Sequence, residues 1–258
     1  MAELKLAVWQ SPGELLGLQA RLAWLSAQCE AASNTDLAVL PELFLSGYHA
    51  GVETLADTAR SVPDALDVIA ALARRYRIAL TFGYPELASD GLYNSACLVD
   101  AEGVVQLRHR KRVLPPGFEA DCFASGDSAC RVETVCGVRV ALLICFEVEF
   151  PEAVRACAAA GAELVLVPTA LEHDWAIVSE KLVPARAFEN TVFVAYANHA
   201  GVEAGHCYLG GSCIVSATGA DLARAGAEPA TVVATIDTAI IPPLRARLPF
   251  LAQYRKLL

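Results

Sequence analysis

Three residues of complementary chemical type each stand just beyond a short apolar run. Glu42 follows Leu37-Ala38-Val39-Leu40 and Pro41, Lys111 follows the Val104 to His109 strand and Arg110, and Cys145 follows Val138 to Ile144. In α/β sheets, ligand and catalytic groups gather beyond the carboxyl ends of strands. A carboxylate, an ammonium and a thiol brought to such ends supply a proton acceptor, a cation for developing negative charge, and a nucleophile. Each alone is also an ordinary structural feature of a strand end. Cys145 stands apart from the cysteines at 29, 97, 122, 130, 136, 157, 207 and 213. Its strand, short turn and Pro151-opened helix have the form of an elbow that exposes a nucleophile to helix N–H groups, which favour a thiolate or an oxyanion. The histidines at 49, 109, 173, 199 and 206 include none whose context marks it as the partner of a Cys–His pair.

The elements that must carry these residues alternate between strand-length and helix-period segments. Leu4 to Trp9 alternates as a strand, and Leu18, Leu22 and Leu25 give Leu15 to Ala32 a helical apolar stripe. Leu37 to Leu40 is a short buried strand. A helix is expected from Pro63, at a first-turn position, through Tyr76. Strands follow at Ile78 to Tyr84, Leu92 to Val99 and Val104 to His109, the last two joined by the Asp100–Gly103 turn. After the strand at Val138 come a helix from Pro151 to Gly161, a strand at Leu164 to Val167, a helix at Trp175 to Asn190 and a strand at Thr191 to Ala197. Cys213 to Ser216 and Val232 to Ile236 are expected to pair around Thr218-Gly219. Mixed sheets covered by outer helices fit this order.

The chain has 258 residues and shows no linker, repeat or low-complexity stretch, so residues 1–258 read as one domain. A 55% hydrophobic and 19% charged composition excludes intrinsic disorder. The net charge of −9 argues against a nucleic-acid or anionic-membrane partner. The one basic run, Arg108 to Arg112, reads as a solvated strand end, with Arg110 and Arg112 solvent- or dimer-facing. No apolar run approaches the roughly 20 residues of a spanning helix. The N-terminal MAELKLAVWQ lacks a signal-peptide core, which points to a cytoplasmic location. No CxxC pair or Cys/His cluster has metal-site spacing, so most of the cysteines read as reduced, buried fillers, and neither metal nor cofactor is expected.

Pro41-Glu42-Leu43-Phe44, His109 to Leu114, and Leu143 to Glu152 resemble, in order, the three signature segments of the nitrilase superfamily of carbon–nitrogen hydrolases. Tyr84-Pro85-Glu86, Tyr93-Asn94-Ser95, Pro168-Thr169-Ala170, Arg186 to Asn190 and Tyr196-Ala197-Asn198 extend the resemblance over nearly the whole chain. It implies an α/β fold, a four-layer α-β-β-α sandwich, forming a homodimer or higher homo-oligomer. It also implies Cys145 as nucleophile, Glu42 as general base, Lys111 as oxyanion stabiliser and Glu119, eight residues on, as a second glutamate. The Phe146 backbone N–H is the expected second oxyanion donor. Glu172 to Trp175, including Asp174, would line the substrate pocket, although Asp174 could instead cap a helix. Asn198, Arg186, Glu189 and Asn190 read as structural. Val113-Leu114-Pro115-Pro116 after the lysine, and Glu147 after the aromatic residue, depart from the family's commoner pattern.

The implied activity is hydrolysis of a small carboxamide to acid and ammonia through a cysteine thioester. The segments after residue 168 look most like the branch holding 5-aminopentanamidase, so an ω-amino amide is the finer expectation. A nitrilase and an N-carbamoyl amide hydrolase are the alternatives within the superfamily. A thiol-sensing or binding protein is the alternative outside it.

Overall fold

The computed structural model describes residues 3–32, 34–254 and 256. Its strands form two mixed six-stranded sheets and one two-stranded ribbon. In the first sheet, β1 (Glu3–Gln10), β2 (Leu37–Val39) and β3 (Ala79–Ala88) run parallel. β4 (Gly91–Val99) and β5 (Val105–Arg110) extend it antiparallel beyond β3. The second sheet repeats the plan. β6 (Val132–Val135) lies antiparallel to β7 (Val138–Leu142), which runs parallel to β8 (Leu164–Pro168) and through it to β9 (Phe193–Ala197). β10 (Val202–Glu203) and β11 (His206–Cys207) make the ribbon, while β12 (Cys213–Val215) and β13 (Asp221–Arg224) complete the second sheet and β14 (Ala230–Asp237) the first.

Alternation along the strands sorts side chains into separate apolar layers. Leu4, Leu6 and Val8 of β1 face Val140, Leu142, Leu164 and Leu166 in the core between the sheets. Ala7 and Trp9 point the other way, against α1 (Gly17–Ala31) and α2 (Val52–Tyr76). On the far side, Ala141, Val165 and Val194 pack under the helices α4 (Pro151–Ala159) and α5 (Val183–Asn190). The short α3 (Phe118–Cys122) lies between β5 and β6 in sequence. This is the expected α-β-β-α sandwich, with three apolar interfaces between four layers.

Two sequence expectations are corrected and a third is refined. Pro63 lies inside α2 rather than at its start. The turns before it bury Leu55, Thr58, Ala59 and Val62, and that packing outweighs the roughly 3 kcal/mol cost of an internal proline. The helix expected from Trp175 to Asn190 is present from Ala176 on, but it is irregular. A 3-10 turn at His173–Trp175 and a π turn at Val178–Leu182 precede α5, where Pro184 near the helix start withholds an N–H from the regular ladder. Finally, β12 turns back at Thr218-Gly219 onto β13, whereas Val232 to Ile236 belongs to β14 and pairs with β1 in the other sheet.

Candidate active site

Glu42, Lys111, Glu119 and Cys145 come from four different loops or short elements and meet at one end of the sandwich. Lys111 follows β5 and is fully buried, its Nζ donating to Glu42 Oε1 at 2.7 Å and to Glu119 Oε1 at 2.6 Å. Asn94 of β4 donates to the same two acids, at 2.7 Å to Glu42 Oε1 and 3.1 Å to Glu119 Oε2. Tyr48 adds a 2.6 Å donation to Glu119 Oε1. Both oxygens of Glu119 are therefore occupied. Glu42 differs, because its buried Oε2 has no hydrogen-bond partner among the described residues. That oxygen is free to accept a proton. An ammonium has three N–H donors, so Lys111 keeps one beyond its two carboxylates.

Burial raises the Glu42 pKa to about 7, with Glu119 adding repulsion while Lys111 and Asn94 hold it down. Burial also pushes the Cys145 thiol up, as does the Glu42 charge, against the pull of Lys111. Burial alone would lower Lys111, but Glu42, Cys145 and Glu119 outweigh it and keep the ammonium charged. The resting pair is a thiol beside a carboxylate that titrates near neutrality, an arrangement suited to proton transfer during attack.

The backbone holds this pair from both sides. Cys145 opens a 3-10 turn, Cys145–Glu149, with φ of 45°, the left-handed conformation of a nucleophile elbow. Glu147 fastens the elbow to the lysine strand: its carboxylate accepts from Ile144 N at 2.8 Å, Arg112 N at 3.0 Å and His109 Nε2 at 2.7 Å. Arg186 donates to Val148 O and Glu149 O at the end of the turn. On the other side, His199 Nε2 donates to Glu42 O at 2.8 Å, while Ser11 lies 2.9 Å from His199 Nδ1. Burial lowers the His199 pKa to about 4, so the ring is neutral. A Cβ on Gly83 would lie 2.3 Å from Leu43 N, so only glycine lets β3 approach this loop.

A pocket of about 470 Å³ opens onto Cys145. Pro115, Pro116, Phe118, Phe146, Leu171 and Trp175 give it apolar walls, and Glu149, Glu172 and His49 supply polar points. Asn198 binds Leu171 through both its N–H and its carbonyl, and so shapes one wall. Of the segment expected to line the pocket, Glu172 and Trp175 do so. Asp174 lies outside the lining, its side chain 91% exposed beside His173. It is therefore set apart from Glu172 and Trp175. Glu172 Oε1 lies 3.2 Å from His49 Nε2 and 3.0 Å from His206 Nδ1. These three could offer metal ligands, but the two rings stack at 3.6 Å and 5°, so their in-plane lone pairs run side by side rather than converge. The other sequence readings fall into place nearby. Arg110 pairs with Glu86 at 2.7 Å over the Tyr93 ring rather than facing solvent freely, whereas Arg112 is exposed.

Sequence reasoning missed Tyr48, Gly83, Asn94, Glu147 and His199 as parts of this site. Asn94 lay inside a quoted family segment, and Glu147 stood out only as a departure. The Glu147 contacts give a direct expectation. In Glu147→Gln the side-chain nitrogen can only donate, so one of the Ile144 and Arg112 N–H groups loses its acceptor. A buried unsatisfied donor costs about 1–3 kcal/mol. Urea unfolding should show that loss, with a lower kcat from a loosened elbow. Unchanged stability and turnover would show that Glu147 does not hold the elbow in place.

The carbon-nitrogen hydrolase family model matches residues 5–246. A hydrolase in the pqqF 5′ region of Pseudomonas protegens is 37% identical over 255 residues, covering 98% of this chain and 89% of the relative. An (R)-stereoselective amidase from a Pseudomonas species is 36% identical over 217 residues, 83% of this chain and 77% of the relative. The structure of a cysteine-to-alanine mutant of an amidase from Nesterenkonia sp. AN1, in complex with butyramide, matches with a TM-score of 0.86 and 35% identity, covering 99% of this chain and 97% of that one. Among the described residues no helix is long and apolar enough to cross a membrane.

Proposed function

The chain belongs to the carbon–nitrogen hydrolase family, and on that premise we propose that it hydrolyses a small linear carboxamide to a carboxylic acid and ammonia through a thioester on Cys145. The observation that carries this reading is the buried, unpartnered Glu42 Oε2 in a cluster with Lys111 and Cys145. The amidase names and the butyramide complex among the relatives support an amide over a nitrile.

The steps follow from the groups present. Glu42 takes the thiol proton as sulfur attacks the amide carbon, and the carbonyl oxygen becomes an oxyanion. The remaining Lys111 N–H and the Phe146 backbone N–H stabilise that charge in a site sheltered from water. Glu42 returns the proton to nitrogen, ammonia leaves, and a thioester remains. Glu42 then deprotonates water, which attacks the thioester. The acid departs and the thiol regains its proton. Nucleophile, base and charge stabilisation all come from side chains and backbone, so the scheme calls for no metal or cofactor. Ammonia release from amide, nitrile and N-carbamoyl substrates carrying the same acyl chain tests the reading. The amide should turn over fastest, and a nitrile or carbamoyl preference would overturn it.

The pH profile should follow Glu42. Its base form is lost as pH falls through about 7. Free-enzyme kcat/KM should therefore be flat on the alkaline side and drop about tenfold per unit at lower pH. A profile flat down to pH 5 would remove Glu42 as the base.

The finer substrate proposal is an amide with a terminal amine. Glu172, at the pocket wall and 39% exposed, supports it, whereas Asp174 lies outside the lining. After solvent screening, a half-exposed pair is worth about 1 kcal/mol, or about a 5-fold preference. 5-Aminopentanamide should exceed pentanamide in kcat/KM by that factor. Glu172→Gln should erase the difference and Asp174→Asn should not. Equal rates in the wild type would end the idea.

A further inference from the structure

Two thiols away from the catalytic cluster are in direct contact. Cys130 is half-buried just before β6, and Cys157 is buried on α4. Their Sγ atoms lie 2.7 Å apart, although the residues are 27 positions apart in sequence. Both pack against the apolar layer under α4 and α5. A bonded pair sits at about 2.03–2.05 Å, so closure needs the sulfurs to approach by roughly 0.7 Å. The two thiols differ in access: Cys130 is partly exposed, whereas Cys157 is fully buried. The contact with Cys157 also lowers the Cys130 pKa, which outweighs burial acting the other way.

We propose that Cys130 and Cys157 form a reversible disulfide site, closed by exchange with a small disulfide such as glutathione disulfide and reopened by dithiols. The Cys130 thiolate attacks one glutathione sulfur, the glutathione S–S bond breaks, and one glutathione thiolate leaves. Cys157 then attacks the Cys130 sulfur of this mixed disulfide, gives its proton to solvent, and expels the second glutathione. Two protein thiols are oxidised, one glutathione disulfide is reduced to two thiols, and the sum balances. The new bond ties α4 to the segment before β6 and encloses the loop that carries β6, β7 and Cys145. It does not rest on the amidase reading.

Closing a loop of this length stabilises chiefly by restricting the unfolded chain, equivalent to a rise in Tm of about 5–10 °C for a domain of this size. The test uses the full-length Cys145→Ala protein, so that reaction at the nucleophile does not intrude. It is equilibrated with glutathione disulfide, unfolded in N-ethylmaleimide and digested without reduction. A peptide pair joining Cys130 to Cys157, two hydrogens lighter than the sum, is expected. It should vanish with dithiothreitol, accompany the Tm rise, and be absent together with that rise in Cys130→Ser. Recovery of both cysteines as maleimide adducts would overturn the proposal. So would Cys130 halted at the glutathione mixed disulfide, or a cross-link formed only in unfolded protein.

Discussion

Cys145→Ala is expected to abolish amide turnover, by at least about 10³-fold, while the protein stays folded. The covalent step has no substitute nucleophile, because none of the other groups in the cluster is a thiol or a free hydroxyl placed by an elbow. Alanine fits the site left by the small thiol, and it keeps apolar a position that belongs to the same core cluster as Leu142, Ile144 and Ala197. Its one difficulty is the φ of 45° at this position, which any non-glycine residue shares with cysteine. The check is ammonia release by purified protein, with circular dichroism and a melt to confirm the fold. Residual hydrolysis above about 1% of wild type, once contaminating enzyme is excluded, would contradict the mechanism.

Lys111→Met should combine two losses. Removing an oxyanion donor typically lowers kcat by about 10²-fold or more. The same change leaves Glu42 and Glu119 buried side by side without their shared cation. Breaking a buried charge cluster by deleting one partner costs about 3–5 kcal/mol unless a carboxylate takes up a proton. Such protonation would itself remove the base, so activity and stability should fall together, and the stability loss should shrink as pH is lowered toward 5. Urea melts at two pH values and kcat on one amide read both effects. Near-wild-type kcat would reduce Lys111 to a structural member of the basic run.

Glu42 and Cys145 stand out in sequence because each follows a short apolar strand, but the Val105–Arg110 strand before Lys111 carries no such signal, and the three are joined as a candidate trio by the resemblance of their segments to the family's signatures. Mixed sheets under outer helices were legible because strands in the middle of such a fold are apolar on both faces, as in Leu164 to Val167, whereas the four-layer order came from the family resemblance. What the linear pattern hid depends on pairing between distant segments. Val232 to Ile236 alternates like any edge strand, and nothing local says that its partner is β1 rather than the neighbouring hairpin. Pro63 looks like a helix start because its ring suits one, yet the burial of Leu55 and Ala59 draws the helix back to Val52. Glu147 and His199 act through the backbone, on Ile144, Arg112 and Glu42, and contacts of that kind leave no residue pattern to read. Asp174, beside Glu172 in sequence, ends in solvent because the 3-10 turn directs neighbouring side chains to different sides.

The measurement closest to the central claim is acid quenching of the wild-type protein during turnover of a small amide, followed by peptide mapping by mass spectrometry. The mechanism predicts the substrate's acyl group, linked as a thioester, on the peptide carrying Cys145 and on no other cysteine peptide. Turnover that proceeds with no acyl mass on Cys145 above the level of the Cys145→Ala control, or with the acyl group on another residue, would contradict it.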